Sequence, residues 1–110
     1  VGRLTPEERT MQTTTLRLVT IVAESVLESR LVRELRALGA SGWTVTDSRG
    51  EGSRGMRAGD VPGEGIRLEV VASPAVAERV VGHIAEHYFP HYAVIAWVTE
   101  VEVVRGDKYV

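Results

Sequence analysis

At 110 residues the chain is long enough for one domain with a single core. Its net charge of -2 gives no broad attraction to nucleic acid, and the absence of cysteine excludes disulfides and thiolate-based metal or redox sites. No apolar run reaches the roughly 18 residues that a membrane span needs, and no signal-peptide pattern opens the chain, so neither membrane insertion nor secretion is expected.

Residues 1–13, VGRLTPEERTMQT, are polar and contain a proline. They predict a mobile tail, with Met11 offering an alternative start. Residues 15–24, TLRLVTIVAE, are β-branched and apolar and predict a strand. Its apolar residues fall on both faces, with Leu16, Leu18 and Val22 on one and Val19, Ile21 and Ala23 on the other. A helix should follow. Ser25 and Glu28 have the spacing of a capping box, Leu27, Leu31, Leu35 and Leu38 line one face, and Gly39 marks the stop. Residues 42–48, GWTVTDS, predict the second strand.

The next stretch, RGEGSRGMRAGDVPGEG at 49–65, has six glycines in seventeen residues and no apolar rhythm. Gly50, Gly52 and Gly55 spell G-x-G-x-x-G after a strand, but no helix follows, so the dinucleotide fingerprint fails in context. Arg49, Arg54 and Arg57 instead place guanidinium forks among bare backbone N–H groups, a combination suited to phosphate or carboxylate oxygens. The plain alternative is a solvated surface loop.

Residues 66–72, IRLEVVA, alternate: Ile66, Leu68, Val70 and Ala72 face the core, with Arg67 and Glu69 opposite. Ser73 caps a second helix with Pro74 at its first position, and Val76, Val80, Val81 and Ile84 form its buried stripe. Pro90 closes this segment. Residues 92–104 predict a long last strand in which Val94 and Val98 oppose Ile95, Trp97 and Val101. The domain thus spans 14–104, with a polar tail at 105–110. The order β-α-β-loop-β-α-β is the α+β ferredoxin-like split βαβ arrangement. Two strands are apolar on both faces, so the helix-free face of the sheet needs cover, and further copies of the chain are the economical cover.

The histidines carry one literal motif. HIAEH, with His83, Glu86 and His87, matches the H-x-x-E-H of inverted zinc proteases. It lies at a helix end, lacks a third ligand (Pro90 separates His91), and sits in a chain with little room for a protease cleft. A solvated helix end, where histidines complement the dipole, is the reading favoured over a metal site. Aromatic residues are too few and too far from basic ones for an RNA-binding sheet. Thr44, beside the glycine-arginine loop, can reach a purine edge or ribose, or can be ordinary strand threonine; Thr46 is the poorer candidate. Neither a Ser-His-Asp set nor a carboxylate pair is visible.

GASGWTV, the RGEGSRGMR loop after it, and HYFPHYAVIAWV entering the last strand resemble the PII superfamily of signalling proteins over residues 15–105. Within it the chain is similar to the PII-like branch that includes SbtB and the carboxysome-associated PII proteins. The resemblance implies a homotrimer with adenine nucleotide in clefts between subunits, and a T-loop between strands 2 and 3 that reports ligand state to a partner. By position, Val22 and Thr44 would lie near the base. Gly50, Gly52, Ser53 and Arg54 would wrap the phosphates, with Arg57 at the same end, and Phe89 and Pro90 would close over the nucleotide. ADP or AMP is the implied ligand, with ATP or cyclic AMP as alternatives. Bicarbonate would sit at Arg54 and Arg57. No cofactor or metal is required, the protein would be cytoplasmic or carboxysome-associated, and its partner would be a bicarbonate transporter or carboxysome component.

Three departures narrow the resemblance. HYFPHY has no lysine and lacks the Gly-Asp-Gly-Lys turn of nitrogen-signalling PII proteins, which argues against tight triphosphate binding and 2-oxoglutarate sensing. The loop has no tyrosine for uridylylation. The chain has no cysteine pair for redox gating. The expectation is a non-enzymatic sensor. Slow nucleotide hydrolysis in the same cleft lacks an evident base or metal set, and a trimeric adaptor without a small ligand is the other alternative.

Overall fold

The computed structural model describes residues 12–50 and 64–105. Both expected tails lie largely outside them, as does most of the glycine-arginine loop. The elements are β1 (Thr14–Ala23), a 3-10 turn (Ser25–Leu27), α1 (Glu28–Ala37), β2 (Thr44–Ser48), β3 (Gly65–Ala72), α2 (Pro74–His87) and β4 (Ile95–Val103). They form one four-stranded sheet in the order β2-β3-β1-β4, and every pairing is antiparallel. This is the ferredoxin-like α+β arrangement.

The central strand sets the layers. Val19 pairs with Val70 and Val98, and Ile21 with Leu68 and Ala96. Directly opposed residues share a face, so Val19, Ile21 and Ala23 lie with Ile66, Leu68 and Val70. The helices deliver Leu31 and Leu35 from α1, and Ala77, Val80 and Ile84 from α2, into the same buried cluster. Trimming any of the larger aliphatic side chains to alanine removes packing of the kind worth ~2–5 kcal/mol.

The helix ends explain the boundaries. Gly39 adopts φ of 104°, with Gly39 N–H donating to Arg36 O and Ala40 N–H to Leu35 O. That is the Schellman pattern, and Ala40 and Leu35 are both buried, as its apolar contact requires. At the start of α2, Ser73 Oγ accepts from Val76 N–H at 3.3 Å and Pro74 occupies the first turn. The expected capping box at Ser25 and Glu28 does not form. Glu24 is the extended residue there, Ser25 lies inside the 3-10 turn, and no side chain caps either helical piece.

Two strands are shorter than expected. β2 starts at Thr44, not 42, and β4 starts at Ile95, not 92. The reason in β4 is a competing backbone pattern: His91 and Tyr92 N–H both donate to Tyr88 O, and Val94 N–H to Tyr92 O. Residues 88–94 therefore form a folded turn.

The other face of the sheet carries Leu16, Leu18, Thr20 and Val22 from β1, and Ile95, Trp97, Thr99 and Val101 from β4. Ile95 is 58% exposed and Trp97 39%. The Arg67 guanidinium lies 5.5 Å from the Trp97 ring centre. Thr20 is buried, and its hydroxyl is the one buried side-chain polar atom without a partner among the described residues.

Two glycines make opposite predictions. A Cβ on Gly65 would stand 2.9 Å from Ala23 O, whereas one on Gly82, within α2, meets nothing within 4 Å. Gly65→Ala should lower the urea-unfolding free energy by roughly 1–3 kcal/mol through forced backbone movement. Gly82→Ala should raise it by about 0.5–1 kcal/mol through helix propensity. Equal effects in the two variants would refute the tight approach of β3 to β1.

Candidate functional site

Antiparallel pairing brings the end of β1, the end of β2 and the starts of β3 and β4 to one edge of the domain. Ser48 pairs with Gly65, Ala23 with Ile66, and Val22 with Ile95. Helix α2 runs toward the same edge, so the 88–94 turn arrives there too. The stem of the glycine-arginine loop is built at this edge. Ser25, Asp47, Ser48, Arg49, Glu64 and Gly65 line a cavity of about 350 Å³. Its hydroxyls and guanidinium can donate to anionic oxygens, and its carboxylates can accept from hydroxyl or amine groups.

The residues expected to touch ligand divide into three sets. Val22 is half-buried at the end of β1, Gly50 is exposed just past β2, and Phe89 and Pro90 are exposed on the turn, with Phe89 at 46%. All four lie at this one edge. Thr44 does not join them: it is exposed at the opposite end of β2, paired with Glu69. The residue in line with Val22 across the sheet is Thr46, through Arg67, and its hydroxyl is 3.5 Å from Arg67 O. Gly52, Ser53, Arg54 and Arg57, the proposed phosphate and bicarbonate contacts, lie outside the described residues.

A polar cluster that the sequence did not reveal holds the turn. Glu34 on α1 is its centre. The Tyr88 hydroxyl donates to Glu34 Oε1 at 2.6 Å, and His83 Nε2 meets the same oxygen at 2.7 Å. Arg30 Nε donates to Glu34 Oε2 at 3.1 Å, while its Nη1 donates to the Tyr92 hydroxyl at 3.0 Å. The Arg30 guanidinium also lies over the Tyr88 ring, 4.7 Å from its centre. Tyr88 is fully buried.

Burial by itself would raise the Glu34 carboxyl. The hydrogen bonds from Tyr88, His83 and Arg30 outweigh it and hold the carboxyl down at about 2. Burial, followed by the bond to this carboxylate, pushes the Tyr88 phenol well above its ordinary value. An ionised carboxylate only accepts, so His83 donates from Nε2. His83 is thus engaged by α1 and is not part of a solvated helix end. The i,i+4 spacing of Arg30 and Glu34 was the only local signal; their partners lie 49 to 62 residues away in sequence. His83 and His87 have ring centres 4.5 Å apart. Among the described residues no group of three or more His, Cys, Asp or Glu could hold a metal ion. No helix among them is long and apolar enough to cross a membrane.

Comparison with known proteins fits this architecture. The family model for nitrogen regulatory protein P-II matches residues 16–108. A solved structure described as a PII-like signalling protein, from Thermus thermophilus, is 55% identical, with a TM-score of 0.78 over 91% of this chain and 100% of that one. CPII from Thiomonas intermedia K12, solved bound to ADP and bicarbonate, has a TM-score of 0.77 at 19% identity, over 91% of this chain and 99% of that one. The B. subtilis GlnK-ATP complex has a TM-score of 0.61 at 20% identity, over 79% and 82%. The last two likenesses are of fold.

The depressed Glu34 carboxyl carries a pH signature. Its stabilisation is complete above its ordinary value of 4.5 and is lost as pH falls toward about 2. Glu34→Gln should therefore be less stable near neutral pH, by roughly 2–3 kcal/mol. The gap between wild type and variant in urea midpoint should close as pH drops through that window. A gap that stays constant down to the acid end would show that the charge on Glu34 contributes nothing.

Proposed function

The chain belongs to the nitrogen regulatory protein P-II family, and from that membership we propose that it is a cytoplasmic regulatory protein that senses adenine nucleotide. The observation carrying this reading is the meeting of three elements at one domain edge: the loop stem with its cavity, the end of β1 with Val22, and the exposed Phe89–Pro90 turn. The stem belongs to β2 and β3, whereas the turn leads into β4. The sheet order puts β2 and β4 three strand spacings apart, roughly 14 Å. A stem from one copy facing a turn from the next encloses a nucleotide better than either does alone. The uncovered face with Ile95 and Trp97 supports self-association, and we take the assembly to be a trimer.

In this assembly Val22 would lie against the base or ribose, with Thr44, one same-face step along β2 beyond Thr46, at the far end of the base. Gly50, Gly52, Ser53 and Arg54 would contact the phosphates, and Phe89 and Pro90 would cover the nucleotide. ADP or AMP is the proposed nucleotide, and bicarbonate the proposed second ligand at Arg54 and Arg57. The fold-level likeness to CPII bound to ADP and bicarbonate supports that choice. The glycine-rich loop then acts as a ligand-ordered switch. Its glycines make ordering costly, and charge-assisted bonds to phosphate or bicarbonate offset that cost. The ordered loop would bind or release a partner from inorganic-carbon uptake or carbon fixation, such as a bicarbonate transporter or a carboxysome component.

Thermal unfolding against AMP, ADP, ATP and cyclic AMP, each with and without bicarbonate, tests the reading. A nucleotide at a hundred times its Kd stabilises by about 2.7 kcal/mol, which raises Tm by roughly 10 °C in a domain of this size. A rise with ADP or AMP that bicarbonate enlarges is the expected result. No rise with any nucleotide at millimolar concentration would sink the sensor reading. Sedimentation should give three times the chain mass, and Trp97→Glu should lower it. A monomeric wild type would remove the inter-copy cleft.

A further inference from the structure

The Phe89–Pro90 turn is held from behind, and the way it is held points to a function for residues far from any ligand contact. Phe89 and Pro90 are exposed, yet Tyr88 immediately before them is fully buried. Its hydroxyl ends on Glu34 at 2.6 Å, and Tyr92 just after them ends on Arg30 at 3.0 Å. Glu34 and Arg30 are themselves joined at 3.1 Å. Two side chains one turn apart on α1 therefore grip both flanks of a turn whose middle faces solvent. His83, bonded to the same Glu34 oxygen, fixes the end of α2 that feeds the turn. On the far side Ala93 N–H donates to Glu24 Oε1 at 3.3 Å.

This arrangement is more than a core contact. A tyrosine filling a hole needs no ionised acceptor, and burying a carboxylate costs free energy that only good geometry recovers. Here the carboxylate accepts from a phenol, an imidazole and a guanidinium. The backbone from Tyr88 to Val94 bonds back to Ile84, within its own turn and to the Glu24 side chain, and pairs with no strand, so side-chain anchors set how the turn sits on the domain. We propose that Glu34 is a positioning residue for the nucleotide site: with Arg30 it presets the 88–92 turn so that Phe89 and Pro90 are already placed to cover the ligand. This rests on the nucleotide-binding reading above. A turn held only part of the time would reduce apparent affinity by the fraction of time it is competent.

The test uses full-length Glu34→Gln, Phe89→Ala and the double variant, with ADP titrated calorimetrically. Glutamine retains an oxygen for Tyr88 and His83, so the fold should survive; Tyr88→Phe serves as a second probe should it not. If Glu34→Gln cuts the competent population to about a tenth, ADP binds about tenfold more weakly. The decisive readout is coupling. Glu34 acting through the turn should cost ADP affinity in the Phe89 background and almost nothing in the Phe89→Ala background. The same loss in both backgrounds, or no loss in either, would overturn the positioning role while leaving nucleotide binding intact. Wild type that fails to bind ADP would instead overturn the nucleotide reading and this role with it. Amide exchange then separates the physical tie from the function: His91 and Tyr92 exchanging faster in Glu34→Gln, with β1 unchanged, would confirm that Glu34 holds the turn. Unchanged exchange would remove the tie as well.

Discussion

The structure depends on one strand being paired along both of its edges. β1 carries β3 on one side and β4 on the other, each antiparallel. That double register fixes which residues face the helices, because a slip of one position on either side would turn Val19 and Ile21 out of the core. It also fixes which chain segments meet. With β3 and β4 both running against β1, the loop stem and the turn before β4 have to emerge where β1 ends. The candidate site is thus a consequence of strand direction before any side chain is considered.

Onto that frame the helices add a second constraint. α1 starts from the edge where β1 ends and α2 returns to it, so the first turns of α1 lie beside the last turns of α2. This adjacency is what lets Arg30 and Glu34 reach His83, Tyr88 and Tyr92. The carboxylate at the centre is stabilised as a charge, with its value depressed to about 2, because three donors outweigh its partial burial. The side-chain bonds that hold the 88–92 turn contrast with the composition of the glycine-arginine loop. That segment has six glycines in seventeen residues.

The sheet face without helices is the third feature. It mixes Leu16, Leu18, Val22 and Trp97 with Arg67 and Glu69, which form a 3.9 Å ion pair on it. Thr20 sits within this face with its buried hydroxyl unsatisfied among the described residues. A surface of this kind is too apolar to be purely solvent-facing and too polar to be a second core, which is the character of a surface shared between subunits.

Local physics made most of the fold legible in the sequence. The alternation in IRLEVVA, the leucine stripe of α1, the Ser73–Pro74 start of α2 and the Gly39 stop each rest on interactions within a few residues, and each reappears in the structure. The differences at Ser25 and at the start of β4 were local competitions that periodicity does not register: Ser25 drawn into a 3-10 turn, and His91 and Tyr92 bonded back to Tyr88 with Val94 bonded to Tyr92. The site was legible only in part. Val22, Gly50, Phe89 and Pro90 gather at one edge, Thr44 stands at the other end of its strand, and Thr46 lies in Val22's row. The sequence by itself determined the elements, their buried faces and the loop chemistry, because propensity, capping and period act over one or two turns of chain. The tertiary structure decided which elements share an edge, and it created the Glu34 cluster, whose partners lie 49 to 62 residues away and meet only once both helices have packed on the sheet.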